Sequence, residues 1–552
     1  MKTLNYVILG GILLLSHIAF GQGQINVQNG NINHYYQDFL VPGHGFALKV
    51  ERSFNSKSGY LGMFGHKWGS NFDIDFEVTP EGTVEITEFG GGFKTTFTPQ
   101  KYTKANIEKF VNDLWEKIPG TSKTPELKKS LLTDAKLRHK VATERKFVQE
   151  IAVGTPLFAN DRGPEELKKA KTKAGEILWT RSFADGRQEI FNAKGLLVKM
   201  QDPNKNFVRL EYNAKNQLVK VVDTTGRRIA LEYNTQGLVS EITSPLGQKC
   251  LYKYTKAKDL EYAKNAKGYE FHHKYNNKHH MTEVLYPTGQ KEAMNYDAED
   301  RIISHQGPED ILTTYRYDTK GKPEQFFDVV VSKEIGKKPN MVTTVDKYSY
   351  EFGTRNNGSQ FTKKIVTVLD GVKTDTEYSE CCGKPLSINR EGKITRFEYL
   401  DNGLLKKKVS PSGEMVVLTY ENKFNKVSKV TRTMPQQKKP DVTDYKYDAK
   451  GNLAFAKNDV RKISVQLFYD TKGRIRKLVD QSGKKIAFEY NELGKPTKIT
   501  QEGIGSIMVS YNAAGVITNV KSTAGRKIAV EVTSAFQSLL DVIRPAGVSL
   551  NI

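Results

Sequence analysis

Along most of the chain apolar and polar residues alternate one by one, and Asn, Asp and Gly interrupt the alternation at nearly constant intervals. In Gly226-Arg-Arg-Ile-Ala-Leu-Glu-Tyr233 the residues Ile229, Leu231 and Tyr233 alternate with a basic residue, Ala and Glu. The same order returns in Gly483-Lys-Lys-Ile-Ala-Phe-Glu-Tyr490 and in Gly525-Arg-Lys-Ile-Ala-Val-Glu-Val532. Side chains of a strand point alternately to its two faces, so period two predicts strands with one apolar face. The step Tyr233-Asn234-x-x-Gly237-Leu238 then predicts a turn, because Asn and Gly accept positive φ and Asn bonds its own backbone. A second strand such as Leu218–Val221 precedes the next turn at Asp223-x-x-Gly226, so each unit is a β-hairpin.

The aromatic that closes the first strand recurs at Phe191, Tyr212, Tyr233, Tyr254, Tyr275, Tyr296 and Tyr317, each 21 residues after the last. It continues at Tyr350, Tyr378, Tyr399, Tyr420, Tyr447, Tyr469, Tyr490, Tyr511 and Val532, which makes sixteen anchors. One hairpin is marginal in water, and the roughly thirty strands implied exceed what an open twisted sheet holds without curling. The predicted fold is therefore mainly β, a spiral sheet or partial β-shell built of repeated hairpins.

From Thr103 to Gly175 the alternation lapses. Ile107, Phe110, Val111, Leu114, Trp115 and Ile118 form one helical stripe ended by Pro119-Gly120, and a second helix is predicted after Thr124, with Pro125 at its first position. Gly163-Pro164-Glu165-Glu166-Leu167 reads as the opening of a third, short helix. The segment is expected to be an insertion, either a lid or docking element or a cover over exposed strand edges.

The Tyr-Asp steps Tyr296-Asp297, Tyr317-Asp318, Tyr447-Asp448 and Tyr469-Asp470 resemble the repeat of the Rhs, or YD-repeat, proteins. The stretch from Asp38-Phe-Leu-Val-Pro42-Gly-His-Gly45 through Leu48-Lys-Val-Glu-Arg52 to Phe64-Gly-His-Lys-Trp68 resembles the β-rich domain that opens many of them. The resemblance implies a β-sheet wound into a cocoon. Many Rhs proteins enclose a C-terminal toxin freed by self-cleavage after a cap with an Asp-Pro step. Here Asp202-Pro203 is the only such step and lies in an early repeat turn, so a shell without a C-terminal toxin is expected.

Charge and targeting refine this picture. Residues 1–23 read as a secretory signal peptide, with Lys2, an apolar run Tyr6–Leu15 and small residues near Ala19 and Gly21, too short for a membrane span. The expected organisation is signal peptide 1–23, β domain 24–102, helical insertion 103–175 and repeat shell 176–552. With 84 Lys+Arg against 62 Asp+Glu the net charge is +22, a bias towards polyanions that names none of them. Arg227, Arg228, Lys484, Lys485, Arg526 and Lys527 lie near turns and could line up as a polyanion stripe, or solvate a sheet face and discourage edge pairing. His272 and His280 are the candidate metal ligands among the histidines flanking the turn after Tyr275, His280 being read as an outward residue. The same histidines also read as solvated or turn residues. Cys381-Cys382 could be a vicinal disulfide, a metal ligand pair or turn residues. No catalytic motif emerges, and repeat carboxylates such as Glu232 and Glu489 read as cross-strand charge partners. No cofactor, no transmembrane span in the mature chain and no specific nucleic-acid recognition is expected. The expected role is a secreted or envelope-associated non-enzymatic scaffold touching anionic envelope glycans or proteins. The alternative is an orphan shell of a toxin-delivery system enclosing a separately encoded protein cargo.

Overall fold

The repeat turns explain why the alternation closes into hairpins. The computed structural model describes residues 23–543 apart from 100–102, 160–163, 310, 319–324, 337–340, 356–359, 381–382, 422 and 514. The signal-peptide reading and Cys381-Cys382 fall outside the described residues. In a typical turn Asn234 N–H reaches Leu238 O at 2.8 Å, while Asn234 Oδ1 accepts from the N–H groups of Gln236 and Leu238, both at 3.0 Å. The register then slips between Glu232 and Tyr233, so Tyr233 faces Val239 and Ser240 is left over. This bulge recurs in the repeats and sharpens the twist that curls the sheet.

The anchor tyrosines tie each hairpin to the one before. The Tyr233 hydroxyl donates to Leu218 O at 2.8 Å, fifteen residues back. Twelve anchors among the described residues, from Tyr212 to Tyr511, make the same kind of bond at 2.7–2.9 Å. Tyr233→Phe removes one rung and is expected to lower unfolding stability by about 1 kcal/mol, read from the urea midpoint. An unchanged midpoint would strip the ladder of any stabilising role.

Among the described residues the result is one antiparallel meander of 33 strands, from Pro156–Ala159 to Ile517–Ser522, each paired with its neighbours in sequence. The sheet winds back on itself. Asn204 Nδ2 donates to Asn452 Oδ1 at 3.3 Å and Asn206 Nδ2 to Lys472 O at 3.0 Å, so turns of an early hairpin meet turns about twenty strands later. At ~4.8 Å per strand one winding is ~100 Å round and ~30 Å across.

The N-terminal residues fill the first winding. Strands Gln24–Asn26, Asn31–Val41, Leu48–Asn55 and Trp68–Ser70 form a four-stranded sheet. Ile74–Val78, Val84–Glu88 and Lys94–Phe97 form a three-stranded one that meets the large sheet through a Thr98 to Phe158 bridge. Phe54, Phe64 and Trp68 share one core with Leu210, Leu231, Tyr252 and Phe271 of the repeats.

Helices α1 (Lys104–Trp115), α2 (Pro125–Thr133) and α3 (Ala135–Glu144) build a small core of their own around Phe110, Leu114 and Leu131. The third predicted helix is corrected: Glu165–Lys171 is the second strand of the large sheet, so the helical segment ends well before Gly175. Glu165 and Leu167 point inwards, and the buried Arg181 bonds Glu165 at 2.8 Å. Cross-strand pairing therefore overrides the local helix signal. The last predicted repeat strand is also corrected, because Gly525–Ile543 is a helix, α4. Its Ile528 and Val532 are one helical turn apart as well as in period two, and both are buried against the strands from Leu453 to Tyr511.

Candidate functional site

The contact between the N-terminal domain and the shell carries the densest chemistry. On the paired strands Asn31–Val41 and Leu48–Asn55, Arg52 stands opposite Tyr36, and Asp38 is the extra residue where the register shifts between Gln37 and Phe39; both side chains turn towards the repeats. The fully buried guanidinium binds Asp38 through Nε at 2.6 Å and a second nitrogen at 2.9 Å, and the Tyr252 hydroxyl donates to the same carboxylate at 2.6 Å. The rings of Tyr36, Phe64, Trp68 and Tyr252 surround it at 5.2–5.8 Å. Trp68 Nε1 donates at 2.9 Å to the hydroxyl of the anchor Tyr275, which itself donates to Leu260 O. Glu292 of a repeat strand accepts from Gly23 N–H at 3.3 Å and sits 2.5 Å from His305 Nε2, which fastens the start of the domain.

A second set of contacts lies at the seam between windings. The loop Pro42-Gly43-His44-Gly45 is wedged between an early hairpin turn and late ones. Arg227 donates to Pro42 O at 2.6 Å, and His44 Nδ1 lies 3.2 Å from a guanidinium nitrogen of Arg474. A Cβ on Gly43 would stand 2.1 Å from Arg227 and 2.5 Å from Phe46 O. Gly43→Ala is therefore expected to cost about 1–3 kcal/mol and to open the loop to proteases, whereas Gly59→Ala, with open space around it, is the neutral comparison. Equal protease resistance in the two variants would remove the loop from the seam.

The predicted site residues fare unevenly. His272 is exposed and edge-on to Tyr262. His280, read as outward, is buried instead, because its ring stacks on the next anchor, Tyr296, at 4.6 Å. The register sets His272 opposite Leu285 and Tyr275 opposite Met281, so His280, five residues before Leu285, lies at the far end of the strand pair from His272. Among the described residues no three His, Cys, Asp or Glu side chains converge to hold a metal ion. Of the basic stripe, Arg227 is bound to Asp223 at 2.7 Å as well as to the loop, Lys484 to Glu531 at 2.6 Å and Lys485 to Glu502 at 3.2 Å. Arg228, Arg526 and Lys527 are exposed, the last two on α4 rather than on a strand. Glu489 pairs with Lys498 across strands at 3.1 Å. The Asp38–Arg52 pair escaped sequence reasoning, although two opposite charges at inward positions of facing strands were a signal. No helix among the described residues is long and apolar enough to cross a membrane.

Comparison with known proteins agrees with this architecture. Residues 22–92 match a domain of unknown function (DUF6531), residues 212–249 an RHS Repeat and residues 422–549 a Teneurin YD-shell. No curated protein matches the chain. Among solved structures, the crystal structure of TcdB2-TccC3-TEV has 10% identity and a TM-score of 0.44 over 90% of this chain and 33% of that one. A Photorhabdus luminescens Tc holotoxin pore carrying a TccC3 mutation gives 9% and 0.42 over 90% and 32%. The chain spans about a third of these structures, and a likeness so distant carries no function across. With repeat and YD-shell matches on a 33-strand meander of tyrosine-tied hairpins, the chain belongs to the Rhs/YD-repeat family.

Proposed function

We propose that the chain is a shell without catalysis of its own that encloses a separately encoded protein cargo, as a component of a toxin-delivery system. The seam carries this reading. A sheet that only displayed a binding face would gain nothing by closing on itself, whereas here turns about twenty strands apart bond directly and the Pro42–Gly45 loop wedges the joint. The pairing of surface charge also favours a wall. Lys220 meets Glu211 at 3.0 Å and Lys407 meets Glu398 at 3.0 Å across strands, which leaves less free positive charge than the composition suggests. A second reading, an exported scaffold touching anionic envelope glycans, draws on the exposed Arg228, Arg526 and Lys527.

The test is co-expression with any small protein encoded beside it. A cargo at one copy per shell that resists protease until the shell is unfolded is the expected result. A partner that stays fully protease-sensitive would overturn enclosure, and heparin binding that persists at physiological salt would favour the second reading, since purely electrostatic contacts weaken with salt.

A further inference from the structure

The strand Ile517–Ser522 pairs with Gly505–Tyr511 on one side and, among the described residues, has no strand beside it on the other. All six of its residues are exposed, and Val520 and the preceding Val516 are more than half so, at 54% and 59%. An open edge with apolar side chains is a template for another strand. In twelve hairpins the carbonyl that opens the second strand receives a tyrosine hydroxyl, the last case being Tyr511 to Pro496 O. The corresponding carbonyl here is that of Ile517, and fifteen residues on stands Val532, which has no hydroxyl to give.

The chain that follows carries the sequence of the missing strand. Gly525-Arg-Lys-Ile-Ala-Val-Glu-Val532 matches Gly483-Lys-Lys-Ile-Ala-Phe-Glu-Tyr490 at a shift of 42 residues. The backbone also begins the repeat turn. Thr523 N–H donates to Ser506 O at 3.0 Å and its Oγ1 accepts from Ser506 N–H at 2.8 Å, as Thr224 does with Phe207 at 3.0 and 2.6 Å. Gly525 keeps the left-handed φ of the turn glycine, +52° against +78° at Gly483. Only after this point does the chain leave the repeat path and enter α4, where Ile528 and Val532 are buried.

We propose that the open edge is a strand-addition site whose occupant is Gly525–Val532 of the same chain, exchanging between the first turns of α4 and a further strand paired to Ile517–Ser522. Both forms bury Ile528 and Val532, because these residues share a face at period two and at one helical turn. In the strand form the segment lengthens the wall and leaves the faces of Leu453–Asn458, Ile463–Tyr469 and Gly505–Tyr511 that it covers as a helix. Carrying the pairing of Lys477 with Ala487 forward by 42 residues sets Asn519 opposite Ala529.

The exchange is tested by trapping in the full chain with its three cysteines replaced by alanine. Asn519→Cys with Ala529→Cys is expected to form a disulfide within one chain at least tenfold faster than Asn519→Cys with Val530→Cys, whose side chain the strand form turns to the other face. Adding Val532→Tyr is expected to speed trapping about fivefold over Val532→Phe, the worth of about one hydrogen bond, because the hydroxyl reaches Ile517 O. Equal rates for the two cysteine pairs, bridges only between chains, or no difference between Tyr and Phe would each overturn the proposal.

Discussion

Arg52→Ala destabilises the chain by about 3–5 kcal/mol, the range for breaking a buried ion pair by removing one partner. Three losses add up at this site. Asp38, 2% exposed, loses both guanidinium bonds and is left with the Tyr252 hydroxyl. Four aromatic rings lose the cation they surround. The joint between the N-terminal sheet and the repeats loses its centre, since Arg52 and Asp38 belong to the one and Tyr252 to the other. Arg52→Met with Asp38→Leu, which removes both charges and keeps the volume, should recover most of the loss. Urea unfolding of the single and double variants decides the matter, and a cost below about 1 kcal/mol for Arg52→Ala would mean the pair is an ornament of the packing.

The sequence made the hairpin legible but not its surroundings. Period two, the Asn/Asp-x-x-Gly turn and the 21-residue spacing are local, so strands and turns from Phe191 to Tyr511 could be read directly. The hydroxyl bond of Tyr233 to Leu218 O could not, because the alternation says which face a side chain takes and not which carbonyl of the neighbouring strand its hydroxyl reaches. The tie from Arg227 to Pro42 O spans 185 residues, and Asn204 meets Asn452 across 248. Such contacts follow from the pitch of the winding, which no repeat encodes alone. At Gly525–Val532 the sequence satisfied two periods at once, and tertiary packing chose the helix. At Glu165–Lys171 the charges suggested a helix until Arg181, on the next strand, bonded Glu165.

The joint between the N-terminal domain and the shell should weaken as pH falls from about 6.5 towards 4. Four histidines at or beside it are held below their ordinary range. Burial lowers His66, and its ring lies flat on His279 at 3.8 Å with Lys67 and Lys258 nearby and Asp259 opposing on His279 Nδ1. Burial lowers His44, followed by Arg474, Lys472 and Arg227, with Asp470 opposing. Burial next to Lys67 takes His280 to about 4 against the pull of Asp300, and burial beside Arg52 takes His273 well below 6.5. A histidine depressed in the docked state binds its proton more readily once released. Its contribution is therefore intact above about 6.5 and is lost as pH falls towards the docked value, at up to ~1.4 kcal/mol per pH unit and group. Discounted for partial solvation, His280 alone should cost roughly 2 kcal/mol by pH 4.5. The turn carboxylates Asp297, Asp448 and Asp470 cannot account for this window. Although burial opposes it, their backbone and side-chain hydrogen bonds hold them below 3.8, so their share fades only in stronger acid. Trp68 fluorescence and protease sensitivity of residues 42–46, followed from pH 7 to 4, should change together and reversibly, and His66→Gln should move the midpoint to lower pH. A signal that stays flat to pH 4.5, or a midpoint that ignores His66→Gln, would remove the histidines from the joint.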